Sequence, residues 1–163
     1  MTPTALQSYS DALDYLQSFI NWEVARHMRY TPDVMTLARP RAILAALGDP
    51  HRRYPVVHIA GTKGKGSVGA MTAAALTASG LRTGLYSSPH LQDYRERFRV
   101  DGDLITREDF IAAVNRLRPV ADQIPGITWF EVTTALALMY FAERAVDVAV
   151  IEVGLGGRLD ATN

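Results

Sequence analysis

The segment of residues 56–80, VVHIAGTKGKGSVGAMTAAALTASG, constrains the fold of this chain more than any other part of the sequence. A short run of apolar, β-branched residues leads into a turn of glycines and lysines, and an alanine-rich stretch follows. This order predicts a strand, a tight turn and a helix from Gly66 to Ser79 that Gly80 ends. Such a helix leaves its first backbone N–H groups unpaired at the turn, where the helix dipole also favours negative charge. The segment therefore predicts a phosphate-binding loop.

The residue types inside the turn fit a bound phosphate. Gly61, Gly64 and Gly66 allow the backbone to approach a ligand without Cβ clashes. Lys65 can reach the β- and γ-phosphates of a nucleotide, and Lys63 adds a second cation. The alternative interpretation is a glycine-rich turn between strand and helix whose lysines are only solvated.

The loop departs from the strict P-loop pattern at two positions. Ile59 stands where that pattern has its first glycine, and Gly66 rather than serine or threonine follows Lys65. The hydroxyl that usually binds magnesium is therefore one residue late, at Ser67. We expect the metal ligands to come from elsewhere in the chain.

The rest of the chain alternates helical and strand patterns. The fraction of hydrophobic residues, 48% of 163, suits one domain with an ordinary core. We expect an α/β fold, with a mostly parallel sheet, flanking helices and right-handed crossovers. The helices are predicted after Ser10, at residues 40–48, at 106–122 and from a capping box at 128–131 onward, and the strands at 54–60, 82–87, 97–105 (a hairpin with an Asp-Gly turn) and 147–154.

Charge and cysteine content exclude several classes of partner and chemistry. Lysine plus arginine number 17 and aspartate plus glutamate 17, so no net field attracts nucleic acid or an anionic membrane. The absence of cysteine excludes disulfides, thiolate catalysis and cysteine-bound zinc. The sequence shows neither a secretory leader nor an apolar run of membrane-spanning length. We expect a cytoplasmic protein without a nucleic-acid or membrane partner.

Glu152 ends the last apolar run, DVAVIE. Ligands bind at the C-terminal ends of strands in open parallel sheets, and a carboxylate there is a hard oxygen donor for Mg²⁺. We therefore expect Glu152 to hold magnesium against phosphate oxygens. The alternative is a glutamate that caps a helix or forms an ion pair.

Several segments together resemble one known family. They are similar to the N-terminal half of folylpolyglutamate synthase/dihydrofolate synthase, a branch of the Mur ligase superfamily, and they occur in order from about residue 41 to residue 163. The segments are ILAALGDP, HIAGTKGKGS, GLYSSPHL, ERFRVDG and FEVTTALALMYFAERAVDVAVIEVGLGGRLDATN.

This resemblance implies a fold and a reaction. Residues 1–163 would be the N-terminal part of a P-loop-containing, Mur-ligase-type ATP-binding domain. In that family ATP phosphorylates a substrate carboxylate, and the amino group of glutamate attacks the acyl phosphate to form an amide. The implied cofactors are ATP and Mg²⁺, and the implied substrates are dihydropteroate or folates and L-glutamate. The family is often monomeric.

The resemblance also assigns roles to residues. Ser88 in SSPHL matches the family's magnesium-binding serine and Glu152 its magnesium-binding glutamate, which would replace the hydroxyl missing after Lys65. From residue types alone, Ser88 before a proline is typical of a turn. The expected ATP-binding residues are Gly61, Thr62, Lys63, Gly64, Lys65, Gly66 and Ser67, with Lys65 as the catalytic cation.

Two further segments match parts of the family that line the pterin pocket. Phe130 would stack on the bicyclic ring and Asp160 would hydrogen-bond it. From residue types alone, Phe130 is typical of a core aromatic and Glu131 of a helix cap. The full set is Thr128, Trp129, Phe130 and Glu131 together with Leu159, Asp160 and Ala161.

The remaining candidate residues are histidines and arginines. His90, beside Ser88, is the best placed of the four histidines for a substrate contact, although packing is an equal alternative. His58, inside a strand, is expected to be a core residue. Arg95 and Arg97 would meet an anionic tail or, by default, be solvated loop residues.

Two departures from the family pattern leave substrate choice open. Lys63 and Arg95 each stand where the usual bacterial form has asparagine. Dihydrofolate synthase, folylpolyglutamate synthase or both activities remain open, as do a Mur-type ligase with another acceptor and a non-catalytic nucleotide-binding fragment. The family continues past residue 163 with a histidine that completes the magnesium site, a carbamylated lysine and a C-terminal domain. We therefore expect these 163 residues alone to lack ligase activity.

Overall fold

The computed structural model describes residues 5–21 and 36–163, and within these ranges five strands form one mixed sheet. The strands lie in the order β1-β5-β2-β3-β4. Strands β1, β5 and β2 run parallel, whereas β3 and β4 extend the sheet in antiparallel pairing. The strands are β1 (Val56–Ile59), β2 (Thr83–Tyr86), β3 (Phe98–Val100), β4 (Asp103–Leu104) and β5 (Val148–Glu152).

The predicted α/β class is therefore confirmed. The helices are α1 (Tyr9–Gln17), α2 (Ala38–Ala46), α3 (Lys65–Ala78), α4 (Arg107–Ala121) and α5 (Trp129–Glu143). All residues of β5 are buried, as expected for an apolar strand in the middle of a parallel sheet. The predicted hairpin is the β3–β4 pair, and its turn residues Asp101 and Gly102 have φ values of 54° and 89°, typical of a type I′ turn.

Helix starts follow the capping residues in the sequence. Thr106 accepts the backbone N–H of Asp109 at the start of α4, and Thr128 forms the predicted capping box with Glu131 at the start of α5. The first helix begins earlier than predicted, because Ser8 rather than Ser10 forms its capping box. The helix ends at Gln17, and Ile20, which lies beyond it, is 56% exposed.

The second helix also starts earlier than predicted. It begins at Ala38, and Pro40 lies within its first turn, where the missing N–H of proline costs no intrahelical hydrogen bond. Gly48 follows the helix with φ 78°, so the predicted stop is confirmed.

The sheet separates two layers of helices. Alternate strand residues face opposite sides, and Tyr86, Ala149 and Ile151 belong to the large core that α1, α2, α4 and α5 cover. Leu85 and Val150 face the other side, where they pack with Ala73 of α3. Gly84 permits close packing of α5 on the sheet, because a Cβ at this position would lie 2.9 Å from the ring of Phe141.

Apolar length in the helices is limited. Within residues 5–21 and 36–163, no helix is both long enough and apolar enough to cross a bilayer.

Candidate functional site

The carboxyl ends of three parallel strands meet at one edge of the sheet. Ile59 of β1 lies in register with Glu152 of β5, and Tyr86 of β2 lies in register with Ile151. The loops that follow these strands therefore begin side by side. This is the edge at which open α/β sheets bind ligands.

The loop after β1 presents an open helix N-terminus. Gly64 is the N-cap of α3 with φ 77°, and no side chain caps this helix, in contrast to α1, α4 and α5. The N–H groups of Lys65, Gly66 and Ser67 precede the first i to i−4 bond, which Val68 donates to Gly64 at 2.9 Å. The structure thus provides unpaired donors at the position predicted for a phosphate.

Glu152 is a buried carboxylate beside this helix start. The side chain is 5% exposed, and its Oε2 accepts the backbone N–H of Ser88 at 3.1 Å. Across the described parts of the chain, no lysine, arginine or histidine forms a salt bridge with it. The alternative of an ion-paired glutamate is therefore not what these residues show.

The oxygen atoms of Ser88 and Glu152 suit a magnesium ion. A buried carboxylate without a salt bridge is costly unless a metal or proton neutralises it. In the described ranges, no cluster of three or more His, Cys, Asp or Glu side chains is arranged for a metal. A site with one carboxylate fits Mg²⁺ better than a metal that needs a full protein cage, since Mg²⁺ keeps waters and binds substrate phosphates.

The phosphate loop borders a large cleft between α3 and the sheet. This cleft has a volume of about 1050 Å³, and Lys65, Ser88 and Glu152 line one part of it. Six of the seven residues expected to bind ATP line it, namely Thr62, Lys63, Gly64, Lys65, Gly66 and Ser67. We call this space the α3 cleft.

A second cavity lies on the other side of the same residues. It has a volume of about 680 Å³, and it shares Lys65, Ser88 and Pro89 with the α3 cleft. We call it the Trp129 cavity. Its other lining residues are Gln17, Asn21, His90, Tyr94, Arg97, Trp129 and Gly154.

Arg97 is part of the wall of the Trp129 cavity. It is 1% exposed, and its guanidinium lies 4.7 Å from the ring centroid of Trp129 and 5.5 Å from that of Tyr94. The Nε–H of Arg97 donates to Nδ1 of His90 at 3.0 Å. The expectation of a solvated loop arginine is therefore wrong for Arg97, because aromatic faces and an imidazole bury it.

Arg95 is held by its own turn. Its guanidinium forms an ion pair with Asp93 at 2.7 Å, and this contact holds the pKa of Asp93 down, at about 2. The expectation of a merely solvated arginine is therefore wrong for Arg95 too, since both its guanidinium and its backbone N–H donate to Asp93.

The residues at the start of α5 have different roles, since some stabilise the helix start and one lines a cavity. Thr128 and Glu131 form the capping box, and Glu131 also accepts Nε–H of Arg39 at 2.9 and 3.1 Å. Phe130 packs near Tyr86, with ring centroids 6.3 Å apart. A Cβ on Gly154 would lie 2.5 Å from Phe130, so this glycine is required for the close approach. Trp129 is the member of the segment that lines the Trp129 cavity.

The second segment expected at the pterin lies in the loop after β5. Asp160 is 3% exposed, and its carboxylate accepts the N–H groups of Leu155 and Thr162 at 2.8 and 3.0 Å. Leu159 is exposed, and Ala161 borders a third cavity on the β1 side of the sheet. None of these three residues lines the α3 cleft or the Trp129 cavity as the described residues form them. Their contact with a pterin stays a prediction.

His58 is not a core residue. It is exposed on β1, which is the edge strand of the described sheet, and it contacts Thr162 at 2.8 Å. The expectation of burial is wrong because, among the described residues, no strand pairs with the outer side of β1.

Sequence reasoning missed several residues of the Trp129 cavity. Gln17, Asn21 and Tyr94 lie outside the quoted segments, and they join the cavity only because α1 and the turn before β3 fold next to α5. No local signal in the sequence marks them as cavity residues.

An open helix N-terminus, a buried carboxylate and a lysine at one end of a parallel sheet are features of phosphate-binding α/β domains. No protein-family model matches the chain. Individual relatives do match. A dihydrofolate synthase/folylpolyglutamate synthase of Mycobacterium tuberculosis is 44% identical over 140 residues, covering 78% of this chain and 29% of the relative. A folylpolyglutamate synthase of Arabidopsis thaliana is 41% identical over 161 residues, covering 96% of this chain and 28% of the relative.

Solved structures agree with these relatives. The folylpolyglutamate synthase of Thermotoga maritima superposes with a TM-score of 0.83 at 40% identity, covering 94% of this chain and 35% of that structure. A complex of FPGS with AMPPCP and folate superposes with a TM-score of 0.84 at 37% identity, covering 96% of this chain and 38% of that structure. The chain belongs to the folylpolyglutamate synthase/dihydrofolate synthase family, and it spans less than two fifths of the length of these relatives.

Proposed function

We propose that this chain forms the ATP-binding and acceptor-binding part of a ligase that joins glutamate to dihydropteroate or to the glutamate tail of a folate. The observation that carries the proposal is that the α3 cleft and the Trp129 cavity meet at Lys65 and Ser88. Two substrates bound in the two cavities would face each other across these residues. The relative solved with AMPPCP and folate supports this pairing of ligands.

The proposed reaction has two steps, the first between ATP and the acceptor and the second with the amino group of glutamate. The acceptor carboxylate attacks the γ-phosphorus of ATP, the bond from that phosphorus to the β-γ bridging oxygen breaks, and ADP leaves. The acyl phosphate formed is then attacked by the amino group of glutamate, phosphate leaves, and the amine loses a proton. Neither step needs a protein nucleophile, so the enzyme supplies alignment and charge stabilisation.

The residues of the phosphate loop have the groups for this task. The open N–H groups of Lys65, Gly66 and Ser67 bind phosphate oxygens, and the Lys65 ammonium offsets negative charge as it develops. Ser88 and Glu152 would hold Mg²⁺, which when bound neutralises phosphate charge. The backbone N–H of Ser88 donates to Oε2 of Glu152 at 3.1 Å, which keeps the two residues next to each other.

The Trp129 cavity would receive the acceptor. Its wall combines the Trp129 ring with the guanidinium of Arg97 and the imidazole of His90, which suits a flat aromatic molecule that carries a carboxylate. We retain Thr128 to Glu131 and Leu159 to Ala161 as the segments expected to reach the pterin. Residues 1–163 would form the N-terminal part of the ATP-binding domain, and the glutamate site would lie outside them.

Amide chemical shifts in the 163-residue chain test this assignment, since they detect weak binding. Magnesium-AMPPCP is expected to shift the amides of Lys65, Gly66 and Ser67, and dihydropteroate the indole N–H of Trp129. Lys65→Ala should reduce the nucleotide response much more than Lys63→Ala, because Lys65 lies at the junction of the cavities. A Mur-type acceptor is indicated instead if a UDP-linked sugar peptide reproduces the Trp129 response and dihydropteroate does not.

We expect catalysis to need the portion of the relatives that this chain does not span. When this chain is combined with the missing portion of a relative, ATP, Mg²⁺ and dihydropteroate should form an acyl phosphate that hydroxylamine traps as a hydroxamate. Nucleotide binding without hydroxamate would identify the chain as a non-catalytic nucleotide-binding module.

A further inference from the structure

His58, Thr162 and Asp160 form a chain of hydrogen bonds that links β1 to the loop after β5. Nε2 of His58 lies 2.8 Å from Oγ1 of Thr162, and Oγ1 of Thr162 lies 2.6 Å from Oδ1 of Asp160. The first and last residues of this hydrogen-bond series, His58 and Asp160, lie 102 residues apart in sequence. The link therefore joins two elements that are separate along the chain.

The direction of each bond follows from the number of protons. Oδ1 of Asp160 also accepts the backbone N–H of Thr162 at 3.0 Å, so it acts as an acceptor. The single hydroxyl proton of Thr162 must therefore point at Asp160, and Thr162 can only accept from His58. Nε2 of His58 consequently carries a proton in this arrangement.

The hydrogen bonds around Asp160 fix its carboxylate in one orientation. Oδ1 receives two hydrogen bonds from Thr162, and Oδ2 receives the N–H of Leu155 at 2.8 Å. These bonds close residues 155–160 into a loop around the carboxylate. Since a carboxylate offers about four lone-pair sites, Oδ2, which receives one hydrogen bond among the described residues, can accept one more.

We propose that His58 is a positioning residue, which acts through Thr162 to orient Asp160 for contact with the acceptor. The inference rests on the proposed function, because Asp160 belongs to the segment assigned there to the pterin. His58 itself touches neither the α3 cleft nor the Trp129 cavity within the described residues. Its position on β1, three residues before Gly61, also ties the phosphate-loop strand to the acceptor segment.

The first test uses the 163-residue chain labelled with ¹⁵N-histidine, and it measures the nitrogen chemical shifts of His58 to detect its hydrogen bond to Thr162. At a pH where His58 is neutral, its Nε2 should show the shift of a protonated nitrogen and its Nδ1 that of an unprotonated one. Thr162→Val should produce a mixture of tautomers, and Thr162→Ser, which keeps the hydroxyl, should preserve the single tautomer. An unprotonated Nε2 in the unaltered chain, or no response to Thr162→Val, would overturn the proposal.

The second test reads acceptor binding against nucleotide binding. His58→Ala should weaken dihydropteroate binding about three- to tenfold, as expected for the loss of one hydrogen bond, and leave magnesium-AMPPCP binding unchanged. His58→Gln should restore most of the affinity, because its amide nitrogen can donate at about the same reach. His51→Gln is the matched control, since His51 borders the same third cavity and, among the described residues, makes no hydrogen bond to the loop after β5.

The two proposals fail in different ways. If the unaltered chain does not bind dihydropteroate while the histidine tautomer behaves as expected, the proposed function fails, and the bonds from His58 to Asp160 are a structural link only. If dihydropteroate binds equally to the unaltered chain, His58→Ala and Thr162→Val, the positioning role is refuted and the proposed function stands.

Discussion

The backbone N–H of Ser88 donates to Oε2 of Glu152 at 3.1 Å, which joins the loop after β2 to the last residue of β5. Both residues lie beside the first turn of α3, whose N–H groups no side chain caps. An anion-binding helix end and a cation-binding carboxylate thus occupy one edge of the sheet. Opposite charges on a nucleotide and its metal can be satisfied at the same place.

Replacing Glu152 by glutamine is expected to remove the magnesium dependence of nucleotide binding. The amide keeps the size of the side chain and loses its charge, so affinity for AMPPCP in the presence of Mg²⁺ should fall by about tenfold, or ~1.4 kcal/mol. Affinity measured in EDTA should be unchanged. Titration of both variants with and without metal makes the comparison, with Glu108→Gln on the exposed start of α4 as control. Equal metal dependence in the unaltered chain and in Glu152→Gln would contradict a metal role.

Replacing Gly84 by alanine should destabilise the fold. A Cβ at this position would lie 2.9 Å from two ring atoms of Phe141, and the expected cost of such overpacking is about 1–3 kcal/mol in the free energy of unfolding. Urea denaturation measures it. Gly69→Ala is the matched control, because its Cβ would meet Leu85 at an ordinary 3.6 Å and alanine favours a helix interior.

A double variant separates the steric cause from a backbone one. Gly84→Ala combined with Phe141→Leu should be less destabilised than the sum of the two single variants, since the smaller side chain removes the clash. Additive free energies would show that contact with Phe141 is not the reason.

Asp93 should make stability depend on pH in the acidic range. Its pKa is held at about 2 in the folded chain, below the ordinary 3.8, chiefly by the side-chain hydrogen bond from Arg95. The stabilisation is fully present above the unfolded pKa and is lost as pH falls through the folded pKa. The free energy of unfolding should therefore fall between about pH 4 and pH 2, and Asp93→Asn should flatten part of that fall.

Urea denaturation at pH 6 and pH 3 provides the measurement for Asp93. Asp103→Asn, at an exposed position on β4, is the control and should leave the difference in unfolding free energy between pH 6 and pH 3 unchanged. The same difference in Asp93→Asn and in the unaltered chain would show that the pair with Arg95 does not contribute to the pH dependence of stability.

Replacing Arg39 by methionine should destabilise the start of α5. Glu131 is buried, and removal of its cation leaves a charge with poor solvation, which we expect to cost about 1–3 kcal/mol for this partly exposed pair. The double variant Arg39→Met, Glu131→Gln should recover part of that loss. Thermal or urea unfolding of the four proteins forms the cycle, and a double variant as unstable as the sum would argue against a direct interaction.

The local patterns that predict the fold are those whose physics is local. Thr128 and Glu131 define a helix start by their spacing alone, and Asp101 and Gly102 define a hairpin turn by their backbone preferences. The phosphate loop was predictable for the same reason, because strand, glycines, lysine and helix are contiguous in sequence. Its residues occupy the predicted place at the carboxyl edge of the sheet.

Features that depend on tertiary neighbours were not predictable from the sequence. Arg97 is buried because it packs against Trp129, which lies 32 residues later in the sequence. The exposure of His58 depends on the absence of a strand beyond β1 among the described residues, which no pattern within β1 specifies. The Trp129 cavity needs α1, the turn before β3 and α5 in their final arrangement.

If the proposed function is correct, the wall that the two cavities share favours a small molecule that spans both of them. Because Lys65 and Ser88 border both spaces, one compound can place an aromatic ring system in the Trp129 cavity and a phosphonate at the helix end of the α3 cleft. Joining two binding groups in one molecule makes the second contact intramolecular, so the affinity exceeds that of either half. A pterin-like acid whose carboxylate is replaced by a stable acyl-phosphate mimic has this shape, and it would compete with nucleotide and acceptor at once.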